Sequence, residues 1–273
     1  MAAIPVRHSA VAGHFYPGDP EVLRHELRTH LSQPSLETPT RALGCIVPHA
    51  GYIYSGHVAG AVFERLEIPE LCLVICPNHT GVGRPLAIMC EGAWETPLGR
   101  VPIDSAFAAD LLQRCPLLQE DSSAHRTEHA VEVELPFLQV RQSRLRFVPI
   151  ALGTGDFTVL EKLGDAIAGA IAAQNDPVLI VASSDMNHYE SDAITRVKDQ
   201  QAIASILALD ARALHDVVTR QHISMCGFGP TVTMLTAACK LGAASAELVK
   251  YATSGDISGD RDMVVGYAGI IVR

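Results

Sequence analysis

The sequence predicts an α/β fold: a single domain on a largely parallel or mixed central sheet, with helices on both faces. Three observations carry that expectation. Short apolar runs at 43–47, 71–76, 147–152 and 178–182 have the length and content of strands buried on both faces. Strand-like and helix-like stretches alternate along most of the chain, the pattern of parallel strands joined by crossover helices. No linker-like shift in composition and no internal repeat divides the 273 residues, a length that suits one large α/β domain.

Taken in order, Asp19-Pro20 is a cap and first-turn pair for a helix through about Leu31. The stretch 33–40 is a loop. The first buried strand, 43–47, is closed by Pro48, which cannot donate to a ladder, and Ser55 caps a helix over 56–65. The second, 71–76, runs into Pro77. A glycine-containing loop at 80–84 leads to a strand at 86–90 and a turn or hairpin region at 92–103. Asp104 caps a helix over 105–114, followed by a polar loop at 119–128. Apolar residues at 131, 135, 138 and 140 fit a helix entering at about Glu128, despite Pro136. After the strand at 147–152, good helix formers fill 156–173. The strand 178–182 precedes helices at 191–209 and 210–220. Cys226-Gly-Phe-Gly-Pro230 is a tight loop opening a helix over 231–241, and closing strands at 246–253 and 263–272 flank a Gly/Ser/Asp loop.

Composition narrows the function. The formal net charge of −9, with Lys and Arg scattered, excludes the clustered basic face that nucleic acid requires. No apolar run approaches a membrane span, and the first residues lack the apolar core of a signal peptide. The odd number of cysteines, 7, contains no Cys-x-x-Cys spacing and argues for a reducing, cytoplasmic setting. All but Cys226 read as small buried hydrophobes.

The chemistry concentrates where strands end. His49 follows the first buried strand, Pro77-Asn78-His79 the second, and Ser183-Ser184-Asp185-Met186-Asn187-His188 the strand at 178–182. In open α/β sheets ligands bind beyond the carboxyl ends of strands. His49 and His79 are expected on neighbouring strands, and Cys226 before a helix, where amides and the helix dipole lower a thiol's pKa. Two imidazoles and a thiolate with positions left open make a catalytic-type metal site. Asp185 can orient a ligand histidine or bind metal, His188 can act as general acid or base, and Glu128-His129-x-x-Glu132 can support the pocket from a helix start. The bland alternative for any one of these histidines is a hydrogen-bonded turn residue. For His8, His25, His30, His57, His125, His215 and His222 a solvated surface position is expected. His14 lies in a structured loop, and Glu132 divides evenly between a solvated helix carboxylate and a site residue. Gly227 and Gly229 lack the Lys and Ser/Thr of a P-loop, and no Gly-x-Ser-x-Gly elbow is present.

Together these residues resemble the Memo family, also called AmmeMemoRadiSam system protein B. The matching elements are Ala12-Gly13-x-Phe15-Tyr16-Pro17, Pro48-His49-Ala50-Gly51-Tyr52-x-Tyr54-Ser55-Gly56, Pro77-Asn78-His79, Glu128-His129-x-x-Glu132-x-x-Leu135-Pro136, Ser183-Ser184-Asp185-x-x-His188 and Cys226-Gly227-x-x-Pro230. They span nearly the whole chain. The resemblance implies a fold like that of class III extradiol dioxygenases, which hold ferrous iron with two histidines and a glutamate. By similarity His49, His79 and Cys226 are the metal ligands, with Asp185, His188 and His129 completing the pocket as catalytic residues. The cysteine departs from the dioxygenase pattern and shifts metal preference and redox behaviour. The expected function is a mononuclear metalloprotein, binding Fe(II) or else copper or zinc, with redox chemistry on an unidentified small molecule. Two alternatives stand beside it. One is a non-catalytic module whose pocket takes a peptide or protein partner, and the other is a zinc-type hydrolase in which Asp185 or His188 activates water.

Overall fold

The computed structural model describes residues 5–32 and 38–273, so most of the loop expected at 33–40 lies outside the described residues. The elements in chain order are β1 (Val6–Arg7), α1 (Pro20–Leu31), β2 (Gly44–Val47), α2 (Tyr52–Glu64), β3 (Leu71–Pro77), β4 (Leu86–Ile88), β5 (Ala93–Thr96) and β6 (Gly99–Pro102). There follow α3 (Ser105–Arg114), β7 (Gln119–Glu120), α4 (Leu135–Arg141), β8 (Arg146–Leu152), α5 (Phe157–Ala172), β9 (Val178–Ser183) and β10 (His188–Glu190). The chain closes with α6 (Asp192–Leu207), α7 (Ala211–Arg220), α8 (Phe228–Lys240), β11 (Ala246–Thr253), α9 (Gly255–Ser258) and β12 (Val264–Val272).

A mixed sheet runs in the order β10-β12-β2-β9-β3-β8-β4-β7, with β11 paired to β12. Its centre, β2-β9-β3-β8, is parallel, and antiparallel β12 and β4 flank it. The central strands are buried along nearly all their length, as their unbroken apolar runs require. β1, β5 and β6 form a separate small sheet. Two glycines show that helices cover both faces. Gly44 pairs with Val272, and a Cβ on Gly44 would strike Met234 of α8. Gly269 lies three positions from Val272, hence on the opposite face, where a Cβ would strike Val62 of α2. Both helices seat against bare backbone.

Capping follows the sequence at several starts: Asp19 accepts from the amides of Glu21 and Val22, Asp104 from Phe107 and Asp156 from Val159. It fails at α2, which begins at Tyr52 rather than 56. Gly51 precedes it without a side-chain cap, and Ser55 Oγ instead donates to the Ala50 carbonyl at 2.9 Å. The helix expected from Glu128 also starts later. Residues 132–134 form a 3₁₀ turn and α4 begins at Leu135, which places Pro136 in the first turn, where its missing amide does no harm.

Candidate metal centre

Because the central strands are parallel, their carboxyl ends share one edge of the sheet. β2 ends one residue before Pro48-His49, β3 ends at Pro77, and β9 ends at Ser183. β2 and β3 are not neighbours as expected; β9 lies between them. Two strand steps separate the chains carrying the histidines by roughly 9–10 Å, yet the ring centroids of His49 and His79 are 5.1 Å apart. The two rings thus converge at the end of β9, where Ser183 Oγ meets His49 Nδ1. His129, from the loop before α4, completes the group. Its ring stacks on His79 at 4.8 Å and lies 5.4 Å from His49. One ligand atom from each of His49, His79 and His129 lies within 4.8 Å of the others. His129, expected as an accessory pocket residue, thus stands beside His49 and His79, and the Cys226 sulfur approaches from His49, 3.2 Å from its Nε2. The group grades from buried His49 through half-buried His129 to exposed His79, so it opens to solvent on one side.

The far side of each ring is anchored. His49 Nδ1 lies 2.8 Å from Ser183 Oγ, and the His49 amide donates to Asp185 Oδ1 at 2.8 Å. The His79 amide donates to Glu128 Oε2 at 2.7 Å, and His79 Nδ1 lies 2.9 Å from Glu128 Oε1. His129 Nδ1 stands 3.4 Å from that same oxygen, with the Phe15 ring packed on its face at 4.7 Å. A carboxylate only accepts, so Nδ1 carries the proton where it meets Glu128, and Nε2 is left with its lone pair. Engaging Nδ1 with a second partner fixes tautomer and ring orientation in metal-ligating histidines. Three imidazoles so oriented, with a sulfur beside them, fit a first-row transition metal.

The electrostatics agree. Burial, together with the nearby His129 and His79 rings, holds His49 well below the usual imidazole range, so the ring stays neutral. Burial likewise lowers His129 and His188. At His79 burial acts downward, but the Glu128 carboxylate outweighs it and the net shift is upward. Burial also raises Asp185, to about 7. The expected lowering of the Cys226 thiol does not occur. Burial and the Asp185 carboxylate raise it well above the ordinary value, against a weaker pull from backbone amides.

Asp185 clasps the turn after β2 by accepting the His49 amide, which orients that histidine through its backbone. His188 lies on the short strand β10, with its amide donating to Ser224 Oγ at 2.7 Å and its Nδ1 2.8 Å from the Ser224 carbonyl. A carbonyl only accepts, so Nδ1 bears a proton where it meets Ser224. The Cys226 loop presses on the end of β9: a Cβ on Gly227 would fall 2.4 Å from the Ser183 carbonyl and from Ser184 Cβ.

Sequence reasoning missed several supports. Ser183 closes an apolar run, Ser224 lies between Ile223 and Met225, and Glu134 lies between Val133 and Leu135 in a stretch expected to be helical, so nothing local marks them as supports. Glu132 is fully buried rather than solvated. It takes an ion pair from Arg7, the amides of Ala10 and Val11 at 2.8 and 3.0 Å, and the Tyr16 hydroxyl at 2.6 Å. His125 is not on the surface either. It is buried against Trp94, and burial lowers it to about 4. His30, His57 and His215 are half-buried, while His8, His25 and His222 are exposed as expected, and His14 is exposed as well. Cys239, expected in the core, is exposed.

The comparisons with known proteins agree on one group. A family model described as Memo-like protein matches residues 7–271. A MEMO1 family protein of Methanopyrus kandleri is 42% identical over 279 residues, covering 98% of this chain and 99% of that one. Relatives of the same description in Pyrobaculum arsenaticum (97% of this chain, 98% of the relative) and Methanosarcina mazei (98% and 99%) are each 41% identical. A crystal structure of an uncharacterized protein from Escherichia coli K12 superposes with a TM-score of 0.59 at 13% identity, covering 85% of this chain and 100% of the other, a likeness of fold.

Proposed function

The chain belongs to the Memo family, and from that premise we propose that it is a mononuclear metalloprotein acting on a small molecule at the strand-exit edge. The Nε2 atoms of His49, His79 and His129 hold the ion, and Cys226 Sγ adds a fourth donor. The supporting observation is the trio of imidazoles whose ligand atoms lie within 4.8 Å of one another, with Nδ1 atoms turned to partners outside the group. Fe(II) is the first choice of ion, with copper or zinc as the alternatives that imidazole and sulfur donors admit. When bound, iron supplies Lewis acidity and one-electron redox chemistry. The chain's own residues do the rest. Asp185 holds the His49 turn, His188 Nε2 accepts or returns a substrate proton, and the exposed side at His79 admits the substrate. The chemistry is oxidative, of the kind associated with extradiol dioxygenases, and the setting is cytoplasmic.

Metal analysis of anaerobically purified full-length chain tests this reading. Wild type should hold one metal ion per chain, and His49→Ala, His79→Ala and His129→Ala should each lose most of it, with Cys226→Ala losing less. Undiminished metal in His49→Ala and His129→Ala would end the reading and leave the pocket to a peptide or protein partner.

A further inference from the structure

The Ser183 hydroxyl has one proton and two lone pairs, and three polar atoms surround it. The Ala130 carbonyl is 2.7 Å away, His49 Nδ1 is 2.8 Å away and Glu134 Oε1 is 3.1 Å away. The carbonyl can only accept, so it takes the hydroxyl proton at the shortest of these distances. The other two must then donate, His49 from Nδ1–H and Glu134 from a carboxyl O–H. An ionised Glu134 would compete with Ala130 for the one proton and leave a pair of oxygens facing each other without a hydrogen.

We propose that Glu134 is a neutral carboxylic acid that donates to Ser183 Oγ, and that through Ser183 it fixes His49 with its proton on Nδ1 and its Nε2 lone pair toward the other imidazoles. Glu134 is thus a positioning residue, two bonds removed from the site. A second observation supports it. Glu134 Oε2 is buried without a hydrogen-bond partner among the described residues, an arrangement that penalises a charged carboxylate far more than a neutral acid. Among the described residues, Asp185, Cys45 and Tyr52 interact electrostatically with Glu134, and none of these three is cationic. Burial accordingly pushes its carboxyl well above the ordinary range. The functional consequence rests on the reading of His49 as a ligand; the protonation of Glu134 does not.

Infrared spectra of the metal-free, full-length chain at neutral pH test the proposal. A protonated-carboxyl C=O band should shift on ¹³C-glutamate labelling and vanish in Glu134→Gln. ¹⁵N NMR should show His49 protonated at Nδ1 and bare at Nε2. Glutamine keeps an N–H donor for Ser183, so Glu134→Gln should bind zinc, used as a diamagnetic probe, within a few-fold of wild type. Glu134→Leu lacks the donor and should weaken zinc about 10- to 100-fold, the usual effect of removing a group behind a ligand histidine. The proposal is overturned if no acid band belongs to Glu134, if His49 carries its proton on Nε2, or if Glu134→Leu binds like wild type. Should either variant fail to fold, a labelled wild-type spectrum with no glutamic-acid band, or a His49 proton found on Nε2, would still overturn it. An acid band and the expected tautomer in a chain that binds no metal would remove the metal reading and leave this assignment standing.

Discussion

Glu132 and Glu134 leave the same 3₁₀ turn, both fully buried, and anchor two regions of opposite character. Glu132 faces the amino-terminal segment and collects four donors, among them the Arg7 guanidinium, which also packs over the Trp94 ring. Glu134 faces the floor of the histidine cluster and meets a single hydroxyl. Burial by itself sets no charge state; the donors within reach do. The amino-terminal region is held by a compensated charge, and the floor beneath His49 by a proton.

The largest expected effect separates the regions. Glu132→Ala strands the Arg7 charge in the interior, and breaking such a pair typically costs about 3–5 kcal/mol. Denaturant unfolding should show a much smaller loss for Glu134→Gln, and equal losses would erase the contrast. Metal comes next. At a hundredfold excess over its Kd, an ion binding only the folded chain adds about 2.7 kcal/mol. Thermal melts should show that gain in wild type and Glu134→Gln and none in His49→Ala.

A pH series sharpens the distinction further. Glu134's folded value lies above its ordinary 4.5, so the unfolded chain releases this proton first and Glu134's own contribution to stability falls as pH rises past about 4.5. The stability of Glu134→Gln relative to wild type should therefore rise with pH. Asp199 gives a parallel case outside the site. Burial raises it from 3.8 to about 7, so its contribution is lost between those values, and Asp199→Asn should flatten that part of the curve. At the small end stands the exposed Arg41–Glu67 pair, 3.3 Å apart. Arg41→Ala should change stability by no more than about 0.2–1 kcal/mol, which calibrates the larger numbers.

Much of this architecture is legible in the residues because local rules decide it. Apolar runs closed by Pro48 and Pro77 mark strand ends, and Asp19, Asp104 and Asp156 mark helix starts. Strand order is not local. Nothing in 43–47 or 71–76 announces that β9 will separate them, because pairing is chosen by the whole sheet. The site divides the same way. His49 and His79 stand out at strand exits, whereas Ser183, Glu134 and the burial of His125 depend on what folds over them. Glu128 and Glu132 are legible as candidate pocket supports, but their partners His79 and Arg7, and the Ser183 contact of Glu134, come from distant segments and are not. The lowered thiol expected at Cys226 fails for the same reason, since burial beside Asp185 outweighs the helix start.

The wedge that β9 drives between β2 and β3 also sets a timetable. His49 and His79 emerge from the ribosome well ahead of Ser183, and without that central strand nothing spaces their two parent strands. On the proposed reading of the site, ion capture in the native arrangement waits until late in synthesis, because a nascent chain halted before β9 has the two imidazoles without the strand that lies between their parent strands.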